Sequence, residues 1–196
     1  MNQNLTDMLH EQIEDEIKNK IDKLGNEYRT NPGIILTETD MQCLLYKELL
    51  EIDILAQLYD TKDGHKAYAV HTELSWFDLD RRLTLKPDIT ILAPKYLTIT
   101  KYKNTNFPTK GFGFSGGGII FELKFNRYKS IKSFIKSVKQ DLEKIDNLQT
   151  IHHDAICYFV WFNKYNVESE EINNLIAEHN NYQKKVIYIK GSISVS

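Results

Sequence analysis

"GGGIIFELKFNR", residues 116–127, is the stretch on which the fold turns. Side chains of a strand alternate between its two faces. One face of this segment reads Ile119, Phe121, Leu123 and Phe125, and the other reads Ile120, Glu122 and Lys124. The run of apolar residues predicts a buried strand. A carboxylate and an ammonium therefore share one face in apolar surroundings. Burying each costs several kcal/mol unless it is paired or binds a metal.

Outward from this strand the chain alternates helices and strands. Leu5, Leu9, Ile13, Ile17, Ile21 and Leu24 recur at helical spacing, with Gly25 as the expected stop, and "TNPG" (30–33) breaks the chain. A second helix is expected from Thr37 or Thr39 to about residue 56. Thr37 with Asp40, or Thr39 with Gln42, fits a capping box. Met41, Leu45, Leu49 and Ile52 form its inner stripe, and Glu38 stands at the N-terminal end of that stripe. Residues 67–76 and 83–92 alternate as two strands. Residues 93–118 read as a long connection rich in Gly and Lys, with a short strand at "YLTIT".

After the opening strand, Ile131, Phe134, Ile135, Val138, Leu142 and Ile145 predict a helix over about 130–148. A buried strand (155–162), a helix (168–181) and a last strand (184–191) complete the chain. The order α-α-β-β-β-α-β-α-β predicts an α/β domain with a mixed central sheet. Residues 1–29 are expected as an amphipathic helix, packed on the core or used in oligomerisation, and residues 30–196 as the domain proper.

Composition narrows the function. At 196 residues and 41% hydrophobic content the chain can bury a full core, which argues against disorder. No apolar run approaches the ~18 residues of a membrane span. The acidic, polar start lacks a signal-peptide core. Cys43 and Cys157 lie in apolar sequence without metal-ligand spacing, so both are expected as reduced core residues of a cytoplasmic protein. Net charge is −2, but residues 81–139 hold 13 Lys/Arg and only two acids, Asp88 and Glu122. That segment carries +11 and the remainder −13, which predicts a basic face suited to nucleic acid.

Those two acids carry the chemistry. Asp88 follows Pro87 inside the 83–92 strand pattern, on a face reading Lys86, Asp88, Thr90 and Leu92. If that strand neighbours the opening one, Asp88 and Glu122 converge. Converging carboxylates repel unless a cation holds them, and a divalent ion with hard oxygen ligands does so. A Lys beside such an ion can hydrogen-bond water and stabilise charge building on phosphate.

"PD" at 87–88 followed by "ELK" at 122–124 resembles the PD-(D/E)xK nuclease superfamily, whose members include restriction endonucleases, resolvases and repair nucleases. The resemblance spans the element order from about residue 36 to 163. It implies a restriction endonuclease-like fold and a nuclease dependent on Mg²⁺ or Mn²⁺. Asp88, Glu122 and the backbone carbonyl of Leu123 would hold the metal, and Lys124 would position and activate the attacking water. Glu38 matches a place where many members add an acid, against the alternative that it only favours the helix dipole. Gln140 matches a place where some members turn a polar residue to the site, against the alternative of a solvated helix residue.

Several features around this core stay open at the level of sequence. His71 and Glu73 either face the site or lie at a solvent-facing edge. Asp141 and Lys144 read as an i, i+3 surface pair. His152 and His153 read as a helix-to-strand loop. "GFGFSGGG" (111–118) contains G-x-G-x-x-G, but it enters a strand and opens no helix, which excludes a dinucleotide site. It reads as a loop that, with Lys101, Lys103 and Lys110, can lie against phosphates. Arg81, Arg82, Lys86, Arg127, Lys129, Lys132 and Lys136 would extend that track. The expected partner is nucleic acid, DNA first, with a homodimer as a further expectation and with neither membrane nor nucleotide cofactor. The competing expectation is a catalytically silent nucleic-acid-binding or assembly module on the same scaffold.

Overall fold

A computed structural model describes residues 5–78, 80, 82–100 and 111–194. The chain opens with two helices, α1 (Leu5–Thr30) and α2 (Glu38–Leu49), joined through a 3-10 turn at Pro32–Ile34. Eight short strands follow: β1 (Tyr59–Asp60), β2 (Lys66–Ala67), β3 (Val70–Thr72), β4 (Trp76–Phe77), β5 (Leu83–Leu85), β6 (Ile89–Ile91), β7 (Leu97–Thr98) and β8 (Gly113–Phe114). The longer elements come last: β9 (Ile119–Asn126), α3 (Lys132–Ile151), β10 (Ile156–Asn163), α4 (Glu170–His179) and β11 (Lys184–Ile189).

The five-stranded mixed sheet has the order β11-β10-β9-β6-β3. Strands β3, β6 and β9 run antiparallel, while β9, β10 and β11 run parallel and are joined through α3 and α4. Such parallel steps need crossover helices, and the sequence supplies them where the 3.6 period appears. The expected α/β class with a mixed central sheet is therefore observed.

The alternation of β9 sorts the two cores. Ile119, Phe121, Leu123 and Phe125 share a buried cluster with Ile13, Ile17, Ile21, Met41, Leu45 and Leu49 of α1 and α2. Ile120 faces the opposite cluster, with Trp76, Val138, Leu142, Ile145 and Leu175. Each fully buried aliphatic or aromatic side chain contributes about 1.5–3 kcal/mol. A one-residue slip of β9 would drive Glu122 and Lys124 into the α1/α2 core, so the pattern pins the register.

Four local expectations are corrected. First, α1 runs through Gly25 to Thr30. A Cβ at Gly25 would lie 2.9 Å from Ile189 Cδ1, so this glycine permits close packing of helix on sheet. Second, the 67–76 pattern is three pieces: β2 pairs with β1 apart from the main sheet, β3 joins that sheet, and Glu73 takes a left-handed backbone (φ 52°) that turns the chain out of it before β4. Third, the 83–92 pattern is two strands: β5 pairs with β4, and β6 pairs with β3 and β9. Pro87, with no N–H to donate, stands where the chain passes between them. Fourth, α2 stops at Leu49, although Ile52 and Leu55 beyond it remain buried.

The N-terminus of α2 has the Thr37–Asp40 capping box, in which the Thr37 side chain accepts from the Asp40 N–H and Asp40 accepts from the Thr37 N–H. Cys157 is buried as expected, but Cys43 is exposed. Among the described residues no helix is long and apolar enough to cross a membrane.

At the carboxyl end of the sheet the chain passes within touching distance of itself at Gly191. A Cβ there would fall 2.2 Å from the Lys164 carbonyl oxygen and 2.6 Å from that of Asn163. Both are backbone atoms and cannot rotate away. Gly191→Ala is expected to destabilise the fold by about 1–3 kcal/mol through overpacking, measured by urea unfolding. An unchanged midpoint would show that this approach is not constrained.

Candidate functional site

β6 has three residues against the eight of β9, so the edge of β9 is unpaired by strand beyond Phe121. Buried backbone N–H groups need partners, and here two carboxylates supply them. The Leu123 N–H donates to Asp88 Oδ2 at 2.7 Å, and the Phe125 N–H donates to Glu38 Oε1 at 3.3 Å. N–H and C=O of one strand residue point to the same edge, so the Leu123 carbonyl opens into the same notch.

Register brings the second acid of the motif to the same place. Ile89 pairs with Phe121 across β6 and β9, so one residue further puts Asp88 level with Glu122. Residues opposed in this way share a sheet face. Asp88 is braced from behind, because its carbonyl oxygen accepts from Gln42 Nε2 at 2.7 Å and from the Glu73 N–H at 3.1 Å. The strained backbone at Glu73 thus has a structural use: it aims an amide at Asp88.

Glu122 faces a cavity of about 230 Å³ whose walls combine Leu85, Pro87, Ile120, Ile145 and Leu148 with the charged Lys86, Asp141 and Lys144. Among the described residues no donor hydrogen-bonds to its carboxylate. Desolvation by burial, then the nearby charges of Asp88 and Asp141, push its pKa up to about 8. Burial likewise raises Asp88 to about 6, with the Leu123 N–H working in the opposite direction.

Lys124 turns to α3. Its Nζ lies 2.6 Å from Asp141 Oδ2 and 4.0 Å from Glu38 Oε1. Burial disfavours the ammonium, but the Asp141 contact and the surrounding carboxylates outweigh it and raise the Lys124 pKa. Lys124 is therefore a fixed cation. Asp141 itself is only 3% exposed and also pairs with Lys144 Nζ at 2.5 Å.

The sequence expectations divide at this point. Asp88, Glu122, the Leu123 carbonyl, Lys124 and Glu38 are brought together. Gln140 is exposed, and its neighbour Asp141 takes the inward position. The Asp141–Lys144 pair exists, but it is half-buried at the site and not a surface pair. Asp141 was readable in outline, because 135, 138, 141/142, 145 and 148 are the inward positions of α3. Gln42 was also missed, although it stands one turn after Glu38 and so shares its side of α2.

His71 lies opposite Thr90 in the β3–β6 ladder, and burial lowers its pKa. Glu73 is exposed and paired with Lys86. His152 caps α3, contacts the Phe77 carbonyl at 3.1 Å and packs edge-on against Trp76.

Of the expected basic track, Arg127, Lys129, Lys132 and Lys136 are exposed at the end of β9 and the start of α3. Arg82 is engaged by Asp78 and Asp80. Arg81, Lys101, Lys103 and Lys110 lie outside the described residues. Comparison with protein-family models, with curated proteins and with solved structures finds no match to this chain.

The raised carboxylate pKa values have a defined sign in stability. A folded-state pKa above the unfolded value means the folded protein binds the proton more tightly. Stability is then full at low pH and falls as pH rises, between 4.5 and about 8 for Glu122 and between 3.8 and about 6 for Asp88. In chelator, Glu122→Gln is expected to be more stable than wild type at pH 8.5, on the order of 1–3 kcal/mol, and nearly equal at pH 5. Denaturant midpoints at the two pH values test this; equal differences at both would contradict it.

Asp141→Ala leaves Lys124 without its nearest carboxylate. A loss of about 2–4 kcal/mol is expected, and Asp141→Asn should lower the Lys124 pKa in a ¹³C-NMR titration.

Proposed function

We propose that this chain is a divalent-metal-dependent nuclease that hydrolyses phosphodiester bonds of DNA on a restriction endonuclease-like scaffold. The observation that carries the reading is Glu122. It is a carboxylate without a hydrogen-bond partner among the described residues, held level with Asp88 in a cavity of mixed apolar and charged lining, with Lys124 on the same strand face. A carboxylate whose pKa is raised by burial beside a second carboxylate is of the kind that clusters at functional sites.

The donor set fits Mg²⁺ or Mn²⁺. Among the described residues there is no group of three or more His, Cys, Asp or Glu arranged for a metal. Two carboxylates and a carbonyl are instead the hard-oxygen set that Mg²⁺ takes when water and phosphate complete its shell. Asp88, Glu122 and the Leu123 carbonyl would hold the ion. When bound, it supplies Lewis-acid polarisation of the scissile phosphate.

The chain's own residues have distinct tasks. Lys124, kept protonated by Asp141, cannot accept a proton near neutral pH. Its Nζ serves as a donor that orients the attacking water and offsets charge growing on phosphate oxygens. Glu38 steadies the Phe125 amide and the Lys124 ammonium from the opposite side of the notch. Gln42 and the Glu73 amide fix the backbone from which Asp88 projects.

A second reading has one observation in its favour. Asp88 and Glu38 already satisfy strand amides, a role that a silent nucleic-acid-binding scaffold would also need.

The two readings separate in a cleavage panel of single-stranded, duplex and branched DNA and of RNA, with Mg²⁺ or Mn²⁺. Cleavage of at least one DNA is expected. Asp88→Ala and Lys124→Ala should each reduce the rate by about a hundredfold or more while binding in EDTA persists. Cleavage by Asp88→Ala at the wild-type rate would refute the site, and binding without cleavage of any substrate would favour the silent scaffold.

A further inference from the structure

Four residues after Lys124 the chain presents Tyr128, which is 67% exposed. It lies between Arg127 and Lys129, and the first turns of α3 add Lys132 and Lys136. Among the described residues, Arg127, Lys132 and Lys136 have no carboxylate within ion-pair distance. An exposed ring among solvated cations would be unremarkable in a loose loop.

This loop is built. The Tyr128 N–H donates to Asn126 Oδ1 at 3.1 Å, and the Tyr128 carbonyl accepts from Asn126 Nδ2 at 3.0 Å. Asn126 is itself 1% exposed, and its Nδ2 also donates to Oδ1 of Asn163, which is 0% exposed. Asn126 and Asn163 are register partners at the ends of β9 and β10. The Asn163 side chain further accepts the Tyr165 N–H and donates to the Tyr188 hydroxyl. Two buried amides thus fix the backbone of one exposed aromatic. Buried polar networks are costly unless fully satisfied, and they specify a single geometry.

Position adds the direction. The carboxyl ends of strands in an open α/β sheet are where ligands bind, and Tyr128 lies just beyond the carboxyl end of β9. Glu122, Lys124 and Asn126 alternate onto one face of that strand. The Cα of Tyr128 can be no more than about 14 Å from that of Lys124, a spacing of a few nucleotides.

We propose that Tyr128 is a stacking platform for an unpaired base, so that the site takes DNA with a single-stranded or splayed segment beside the scissile phosphate. Every base offers a π-face, so recognition of this kind tolerates sequence, and flanking Arg and Lys track the backbone. A fully paired duplex keeps its bases stacked on one another and cannot use the ring. The inference rests on the nuclease reading above and adds the substrate class.

The test is fluorescence anisotropy in EDTA, with a labelled single strand, a duplex carrying a single-stranded tail and a blunt duplex. Wild type is expected to bind the first two more tightly than the third. Tyr128→Ala should weaken binding of the first two by about tenfold, leave the blunt duplex unchanged and leave the salt slope unchanged. Tyr128→Phe should retain the affinity. A single abasic position in the strand should reproduce the loss in wild type and add nothing in Tyr128→Ala, which a merely structural role would not produce.

Equal affinity of wild type and Tyr128→Ala for all three ligands would overturn the stacking role while leaving the nuclease reading intact. A uniform loss on all three would also overturn it. Failure of wild type to bind any of the ligands would instead remove both.

Discussion

The site depends on a mismatch of strand lengths. β6 covers only the first part of β9, and the uncovered edge must find hydrogen-bond acceptors inside the protein. Asp88 and Glu38 supply them, so the same constraint that completes the sheet also draws two carboxylates to one notch. The register that seats Phe121 opposite Ile89 then leaves Glu122 level with Asp88. Neither acid can leave without exposing a buried amide or shifting a strand whose alternate residues fill two cores.

Electrostatics follow from that placement. Burial strips water from Glu122, while Asp88 and Asp141 add like charge. The only close cation on the same strand, Lys124, is drawn to Asp141. Lys86 and Lys144 line the same cavity, but burial and the like charges of Asp88 and Asp141 outweigh the cations at Glu122. Lys124 and Lys144 both lie against Asp141, and their charges also act on Glu122 without outweighing burial. The raised pKa values of Glu122 and Asp88 cost stability as pH rises, and perturbed groups of this kind cluster at functional positions.

Much of this was legible in the sequence, and the rest was hidden for physical reasons. Alternation along residues 119–125 fixed which side chains enter which core, because period 2 leaves no freedom once both faces are covered. Pro87-Asp88 and Glu122-x-Lys124 could be paired because a proline ends a ladder and charges in an apolar strand demand a partner. The break at Glu73 could not be read, since a left-handed backbone at a non-glycine residue leaves no mark on composition. Gly25 misled for the converse reason: a glycine that ends helices by propensity is here required by the approach of Ile189. Asp141 stood on the inward stripe of α3 but looked like a surface ion pair with Lys144. Only the tertiary arrangement showed Lys124 on its other side. Cys43, apolar in its sequence neighbourhood, lies on the outer face of α2, a rotation that one residue of phase decides.

The central claim is that Glu122 and Asp88 form a cation site that protonation competes for. Isothermal titration of the protein with Mn²⁺ at pH 7, repeated in buffers of different ionisation enthalpy, measures both binding and proton release. Saturable binding with net release of protons, its affinity rising with pH and lost in Glu122→Gln, is the predicted result. No binding, or binding unchanged by Glu122→Gln, would contradict it.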